Sequence, residues 1–124
     1  MSSINLRTDP RQERLKRASL LVWLRKVEQR LTALAQPDTT MRSRMDILHT
    51  LIALAAEFNQ DWLTLNLVDQ QDWRWLNESG LIWRSWSASL TKGQELPTKV
   101  VEDWSKFFHG LVTAIEPKLT EVAA

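Results

Sequence analysis

The sequence predicts an α+β domain with two N-terminal helices, a Trp-rich antiparallel β-meander and a C-terminal helix. Three observations lead to this expectation. Apolar residues recur at helical spacing near both ends of the chain. The middle, residues 61–90, holds five of the seven tryptophans together with Thr, Ile and Ser, which are indifferent helix formers. Within it, Asn77-Glu78-Ser79-Gly80 has the composition of a hairpin loop.

Length and composition indicate one ordinary globular domain. The chain has 124 residues, of which 44% are hydrophobic and 25% are charged. We expect residues 1–8 to be a flexible N-terminus and residues 9–124 to form a single domain. No apolar run approaches the roughly 20 residues that span a bilayer, so the sequence predicts a cytoplasmic protein without a membrane partner. The absence of Cys excludes disulfides and thiolate metal sites.

The first predicted helix starts at Asp9 and Pro10 and ends near Ala35. Asp9 can accept hydrogen bonds from the free amides of the first turn, and Pro10 suits the first helical position. Pro37 stops the helix, because a residue before proline is pushed out of the helical region. One face carries apolar residues at 4-3-4-3 spacing, namely Leu20, Leu24, Val27, Leu31 and Leu34. This face is expected to contact the core.

Two further helices are predicted from the same periodicity. The second begins within residues 38–40, each of which can cap a helix, and runs to Phe58. Its apolar face is wide enough to be covered on more than one side. The last helix begins at Pro97 and is limited by Pro117. Residues 91–95 before it have the composition of a loop.

The middle of the chain is predicted as three antiparallel strands. They cover residues 64–68, 73–77 and 81–88, with residues 69–72 as the first turn. The competing interpretation is an all-α helical bundle, in which Gly80 lies inside a helix or breaks one.

The tryptophans of this meander predict an interaction surface. Alternation along a strand places Trp73 and Trp75 on one face and makes Trp83 and Trp86 point in opposite directions. Both faces of the sheet then carry large aromatics, so one face exposes Trp unless another chain covers it. We therefore expect these four residues to contact another protein or a second copy of the chain. Two other interpretations stay open, a simple core role and a stacking platform for bases or sugars.

Charge is distributed unevenly along the chain. Residues 1–44 hold ten basic and four acidic side chains, a net charge of +6, whereas the remainder holds six and eleven, a net charge of −5. The candidate basic residues of the first helix are Arg11, Arg14, Arg17, Arg25 and Lys26. They could follow a phosphate backbone or contact an acidic protein surface. A purely solvated face is the third interpretation.

The sequence predicts no enzyme, cofactor or metal site. His49 and His109 lie on different predicted helices and form no metal-ligand pair, and the three glycines form no phosphate-binding loop. The expected function is a non-catalytic protein–protein interaction module: an adaptor, a regulator or a small subunit of a larger complex. The alternative is a nucleic-acid-binding accessory protein, or the small subunit of a nucleoprotein complex, that uses the Arg-rich helix.

Overall fold

The computed structural model of the chain describes residues 10–121, which form a bundle of four α-helices. These are α1 (Pro10–Leu34), α2 (Met41–Ala56), α3 (Gln70–Thr91) and α4 (Thr98–Glu121), with a 3₁₀ helix, Gln60–Leu65, preceding α3. Helix α1 packs against α4 and α2, and α2 packs against α3. Aromatic rings of α3 and α4 meet and close the bundle. The predicted flexible segment 1–8 and the predicted cap Asp9 lie outside the described residues.

The predicted β-meander is wrong, and with it the α+β fold class. Within residues 10–121 there is no strand, and the fold is all-helical. Residues 73–77 and 81–88 belong to α3, while Thr64 and Leu65 end the 3₁₀ helix. The buried side chains of α3 recur every three or four residues, as a helix requires: Trp73, Leu76, Ser79, Trp83, Trp86 and Leu90. Burial of this face overrides the local preference of Trp and Ile for strands.

The start of α3 replaces the predicted turn at residues 69–72. Asp69 caps the helix, because its side chain accepts a hydrogen bond from the backbone N–H of Asp72 at 2.8 Å. A carboxylate at this position also interacts favourably with the partial positive charge of a helix N-terminus. The residues that favour a turn are thus a helix cap.

Gly80 lies inside α3 and not in a hairpin loop. A Cβ atom built on Gly80 would lie 3.0 Å from the Cβ of Ala55 in α2, closer than ordinary van der Waals contact. The two helices therefore approach each other closely at this point, where both residues are small. Asn77, Glu78 and Ser79 continue the same helix on the N-terminal side of Gly80.

The predictions for the first two helices are confirmed. All five residues of the predicted apolar face of α1 are buried: Leu20, Leu24, Val27, Leu31 and Leu34. Thr40 caps α2, since its side chain accepts a hydrogen bond from the backbone N–H of Ser43 at 3.1 Å. Helix α2 ends at Ala56, before the predicted Phe58.

The last helix is longer than predicted, because Pro117 does not end it. Helix α4 continues through Pro117 to Glu121. Proline removes one backbone hydrogen bond and its ring crowds the preceding turn. However, the neighbouring turn is held in place by the buried side chain of Ile115 and by the ion pair between Glu116 and Arg25 of α1. The exposed Pro117 is thereby accommodated near the helix end.

Large aromatic rings fill the core between the helices. The fully buried Trp83 of α3 contacts Trp104 and Phe108 of α4, with ring centroids 6.4 and 6.2 Å apart. On α1, the buried Trp23 contacts Phe108 at 5.9 Å and Trp62 at 5.6 Å. Its indole N–H donates to the carbonyl oxygen of Leu54 at 2.7 Å. The indole N–H of Trp83 has no acceptor among the described residues.

Replacing Gly80 with Ala should destabilise the protein, although alanine is the better helix former. The gain in helix propensity is about 1 kcal/mol, but the new methyl group would meet the Ala55 Cβ, which can move only with its backbone. The matched control is Gly110→Ala in α4, where a Cβ would meet nothing within 4 Å. We expect this control to raise the free energy of unfolding by roughly 0.5–1 kcal/mol.

Chemical denaturation of both variants measures these changes. A double variant, Gly80→Ala with Ala55→Gly, should recover much of the stability that Gly80→Ala loses, because the clash is relieved. If Gly80→Ala and Gly110→Ala stabilise the protein equally, α2 and α3 do not approach each other closely at Gly80.

Two buried tryptophans should respond differently to replacement with Phe. Trp23→Phe replaces the indole by a smaller phenyl ring and loses the hydrogen bond to Leu54, whereas Trp83→Phe makes the same replacement where the buried N–H has no partner among the described residues. Both variants lose packing, but the second also relieves an unsatisfied donor. We expect Trp23→Phe to lower the free energy of unfolding by roughly 1–2 kcal/mol more than Trp83→Phe, as measured by urea titration. Equal losses would contradict the difference in hydrogen bonding.

Candidate interaction site

A cleft between α3 and α4 combines three aromatic rings, of which Trp75 is exposed, with two carboxylates. We call it the aromatic cleft. It has a volume of about 230 Å³ and is lined by Asp72 and Trp75 of α3 and by Asp103, Trp104 and Phe107 of α4. The ring planes of Trp75 and Trp104 meet at 86° with centroids 5.8 Å apart. Those of Trp104 and Phe107 meet at 84° with centroids 5.9 Å apart. Successive rings thus stand at right angles around the opening.

The aromatic cleft contains one of the four tryptophans predicted to form an interface. Trp75 is 42% exposed, whereas Trp73, Trp83 and Trp86 are 8%, 0% and 6% exposed. The last three have their rings in the core, because α3 presents them on its buried face. All seven tryptophans lie within residues 10–121, and Trp75 alone among them is exposed. Of the four tryptophans predicted to form an interface, Trp75 is therefore the one whose side chain is accessible to a partner.

The two carboxylates of the aromatic cleft are not used in ion pairs within residues 10–121. Neither Asp72 nor Asp103 forms an ion pair with another residue of the described part of the chain. Burial raises the pKa of the Asp72 carboxyl, and the nearby Asp69 raises it further through its negative charge and through a hydrogen bond between the two side chains. A raised pKa means that the ionised form of Asp72 is poorly stabilised by this chain alone.

The basic strip of α1 is partly paired within the molecule. Arg17 forms an ion pair with Glu13 at 2.7 Å, and Arg25 forms an ion pair with Glu116 of α4. Arg11, Arg14 and Lys26 are exposed. At least two of the five candidate basic residues, Arg17 and Arg25, thus have acidic partners, which leaves fewer charges for a phosphate backbone.

A second, larger groove lies beside α1. Its volume is about 480 Å³, and its lining includes the exposed Leu15 and Val22, the buried Trp62, and the charged Lys26 and Glu57. The indole N–H of Trp62 has no acceptor among the described residues. Lys26, a candidate for contacting nucleic acid, therefore stands beside exposed apolar side chains.

The histidines do not form a reactive group with each other. His49 is exposed on α2, and His109 of α4 is exposed and lies 3.2 Å from a carboxylate oxygen of Glu28 on α1. In residues 10–121 no three His, Asp or Glu side chains are grouped so that they could hold a metal ion. This arrangement offers electrostatic contacts between α1 and α4.

The sequence interpretation missed four of the five residues that line the aromatic cleft. Asp72 and Trp75 are spaced by three residues, as are Trp104 and Phe107, and Asp103 precedes Phe107 by four. Such spacings place side chains on one face of a helix. The pattern around Asp72 is visible only if residues 70–91 are first assigned to a helix, whereas the sequence interpretation assigned most of them to strands.

Comparisons with known proteins add no further constraint. No protein-family model, curated protein or solved structure matches this chain. Among the described helices, none has both the length and the apolar character needed to cross a bilayer.

The raised pKa of Asp72 leads to a direct test. Replacing Asp69 with Asn keeps an oxygen that can cap α3 but removes the negative charge beside Asp72. We expect the pKa of Asp72 to fall toward its ordinary value in this variant, as followed by NMR titration of the Asp72 carboxyl carbon. The exposed Asp46 of α2 offers the control, because Asp46→Asn should leave the pKa of Asp72 unchanged. An unchanged pKa in Asp69→Asn would show that Asp69 does not act on Asp72.

The same shift predicts how Asp72 affects stability. Because the pKa is higher in the folded than in the unfolded state, the folded state binds more protons between the two pKa values. The contribution of Asp72 to the free energy of unfolding therefore decreases as pH rises through that interval. At neutral pH the ionised Asp72 opposes folding.

Proposed function

We propose that this protein is a non-catalytic protein–protein interaction module that binds its partner through the aromatic cleft. It would act as an adaptor, a regulator or a small subunit of a larger complex. The observation that carries this proposal is the 42% exposure of Trp75 beside Trp104 and Phe107. The proposal includes the cytoplasmic location expected from the sequence and a partner that is another protein or a second copy of the chain.

The exposure of Trp75 supports a role outside the fold. A tryptophan side chain offers roughly 150–250 Å² of surface for burial, at about 25 cal/mol for each Å² of apolar area. The bundle buries the other six tryptophans but leaves this ring in contact with water. A partner that covered Trp75 would remove this apolar surface from water, and the free energy of that burial would stabilise the complex. Tryptophan is also among the residues that most often dominate the binding energy of protein interfaces.

The nucleic-acid alternative receives less support from the described residues. The internal ion pairs of Arg17 and Arg25 reduce the charge available to phosphates, and the aromatic cleft itself is lined by carboxylates. Carboxylates repel a polyanion, so the exposed ring of Trp75 does not assist the basic strip in holding bases.

Comparative affinity capture tests the proposed function. The full chain, Trp75→Ala and Leu81→Ala are each used to capture proteins from the source cells after nuclease treatment, and the recovered proteins are quantified together. Leu81 lies on the same helix and is 68% exposed but does not line the aromatic cleft. We expect a specific protein to be retained by the full chain and by Leu81→Ala and to be lost, by about tenfold or more, with Trp75→Ala.

Tryptophan quenching provides the second measurement. In the free protein, acrylamide should reach one indole, and Trp75→Phe should abolish that accessible fraction. The same indole should become protected when the partner is bound. If Trp75→Ala and the full chain retain the same proteins in the same amounts, the proposed function is wrong.

A further inference from the structure

We propose that the aromatic cleft binds an arginine side chain of the protein partner, between the rings of Trp75, Trp104 and Phe107 and the carboxylates of Asp72 and Asp103. This inference rests on the proposed function, because it names the group of the partner that enters the cleft.

The ring geometry suits a cation. Trp75, Trp104 and Phe107 form two successive perpendicular pairs, so their faces point in different directions around one opening. A positive charge within about 6 Å of an aromatic centroid is attracted by the negative face of the ring, most strongly for tryptophan. Two of the three rings here are tryptophan. Rings at right angles can each contact a different side of the same group.

Charge complementarity selects a cation over an apolar side chain. Asp72 and Asp103 stand at the aromatic rings, and within the described residues no basic side chain forms an ion pair with either of them. An apolar occupant would bury two carboxylates without partners, which is unfavourable. A cation supplies the missing partner for both. The raised pKa of Asp72 agrees with the lack of a basic partner for its carboxylate among the described residues.

The size and composition of the aromatic cleft favour a single planar side chain. Its volume of about 230 Å³ is below the roughly 300–1,000 Å³ of pockets that enclose drug-sized ligands. Guanidinium is planar, so it stacks on a tryptophan face while its edge donates several hydrogen bonds to carboxylates. The ammonium group of lysine is a compact, strongly hydrated charge and does not stack in this way. Arginine is therefore the occupant that uses both the rings and the carboxylates.

Titration of the full chain with N-acetyl-L-arginine amide tests the inference directly. We expect the indole N–H signals of Trp75 and Trp104 to shift and to saturate in two-dimensional NMR spectra, while that of Trp23 stays in place. N-acetyl-L-citrulline amide is the matched compound, since it has the same length but a neutral urea group. It should leave the signals of Trp75 and Trp104 unchanged.

Paired variants separate the carboxylates from general charge effects. The double variant Asp72→Asn with Asp103→Asn should raise the Kd for the arginine compound by about fivefold or more. The control is Asp38→Asn with Asp46→Asn, which removes the same charge from exposed positions outside the cleft. This control should leave the Kd unchanged. Binding of the citrulline compound with the same Kd would overturn the inference. So would equal or tighter binding of N-acetyl-L-lysine amide.

The captured partner distinguishes failure of the inference from failure of the proposed function. If the partner is lost with Trp75→Ala but retained by Asp72→Asn with Asp103→Asn, the interaction module stands and the arginine assignment is wrong. If the partner is retained by Trp75→Ala, the proposed function is wrong, whatever the arginine compound does. Both proposals are supported if the partner is lost with Trp75→Ala and with the double variant Asp72→Asn, Asp103→Asn, and is retained by the control double variant Asp38→Asn, Asp46→Asn.

Discussion

The ring of Trp83 lies between α3 and α4 and sets the distance between them. Its ring contacts those of Trp104 and Phe108 with centroids 6.4 and 6.2 Å apart, so large aromatic side chains fill the space between the two helices. The opposite arrangement holds between α3 and α2, where Gly80 faces Ala55 at close range. Helix α3 is therefore held tightly on one side and supported by large rings on the other. Close packing of both sides fixes its position in the bundle.

The aromatic cleft continues this core toward the surface. Trp104 contacts the buried Trp83 on one side and the exposed Trp75 on the other, so one ring belongs to both the core and the cleft. Phe107 extends the same series along α4. Rings held by core packing are already in place before a partner arrives, which reduces the loss of side-chain freedom on binding. The rigidity of the proposed site thus derives from the packing that stabilises the fold.

Sequence patterns predicted α1, α2 and most of α4, because each has one apolar face that repeats at helical spacing. They failed for α3 because its residues favour two structures at once. Trp73 and Trp75 alternate as in a strand, and Gly80 follows turn-forming residues, yet Trp73, Leu76 and Trp83 share one helical face. The close contact of Gly80 with Ala55, which explains a glycine inside this helix, joins residues far apart in sequence and cannot be seen in a local window. Trp104 and Phe107 were assigned to a helix, but their cleft depends on the misassigned α3.

The charge asymmetry along the sequence does not translate into two separate charged ends of the molecule, because basic and acidic parts contact each other in the fold. Arg25 of the basic α1 pairs with Glu116 of the acidic C-terminal part, so the two parts of the sequence meet in one molecule. One positive charge of the basic part is thereby paired with one negative charge of the acidic part across the α1–α4 contact. Exposed charges act only over about 8–10 Å at ordinary salt, so a cation approaching the molecule responds to its nearest groups. At the aromatic cleft the charged groups of the lining are Asp72 and Asp103, and neither forms an ion pair within the described residues, so these carboxylates are the charges that the proposed arginine would contact.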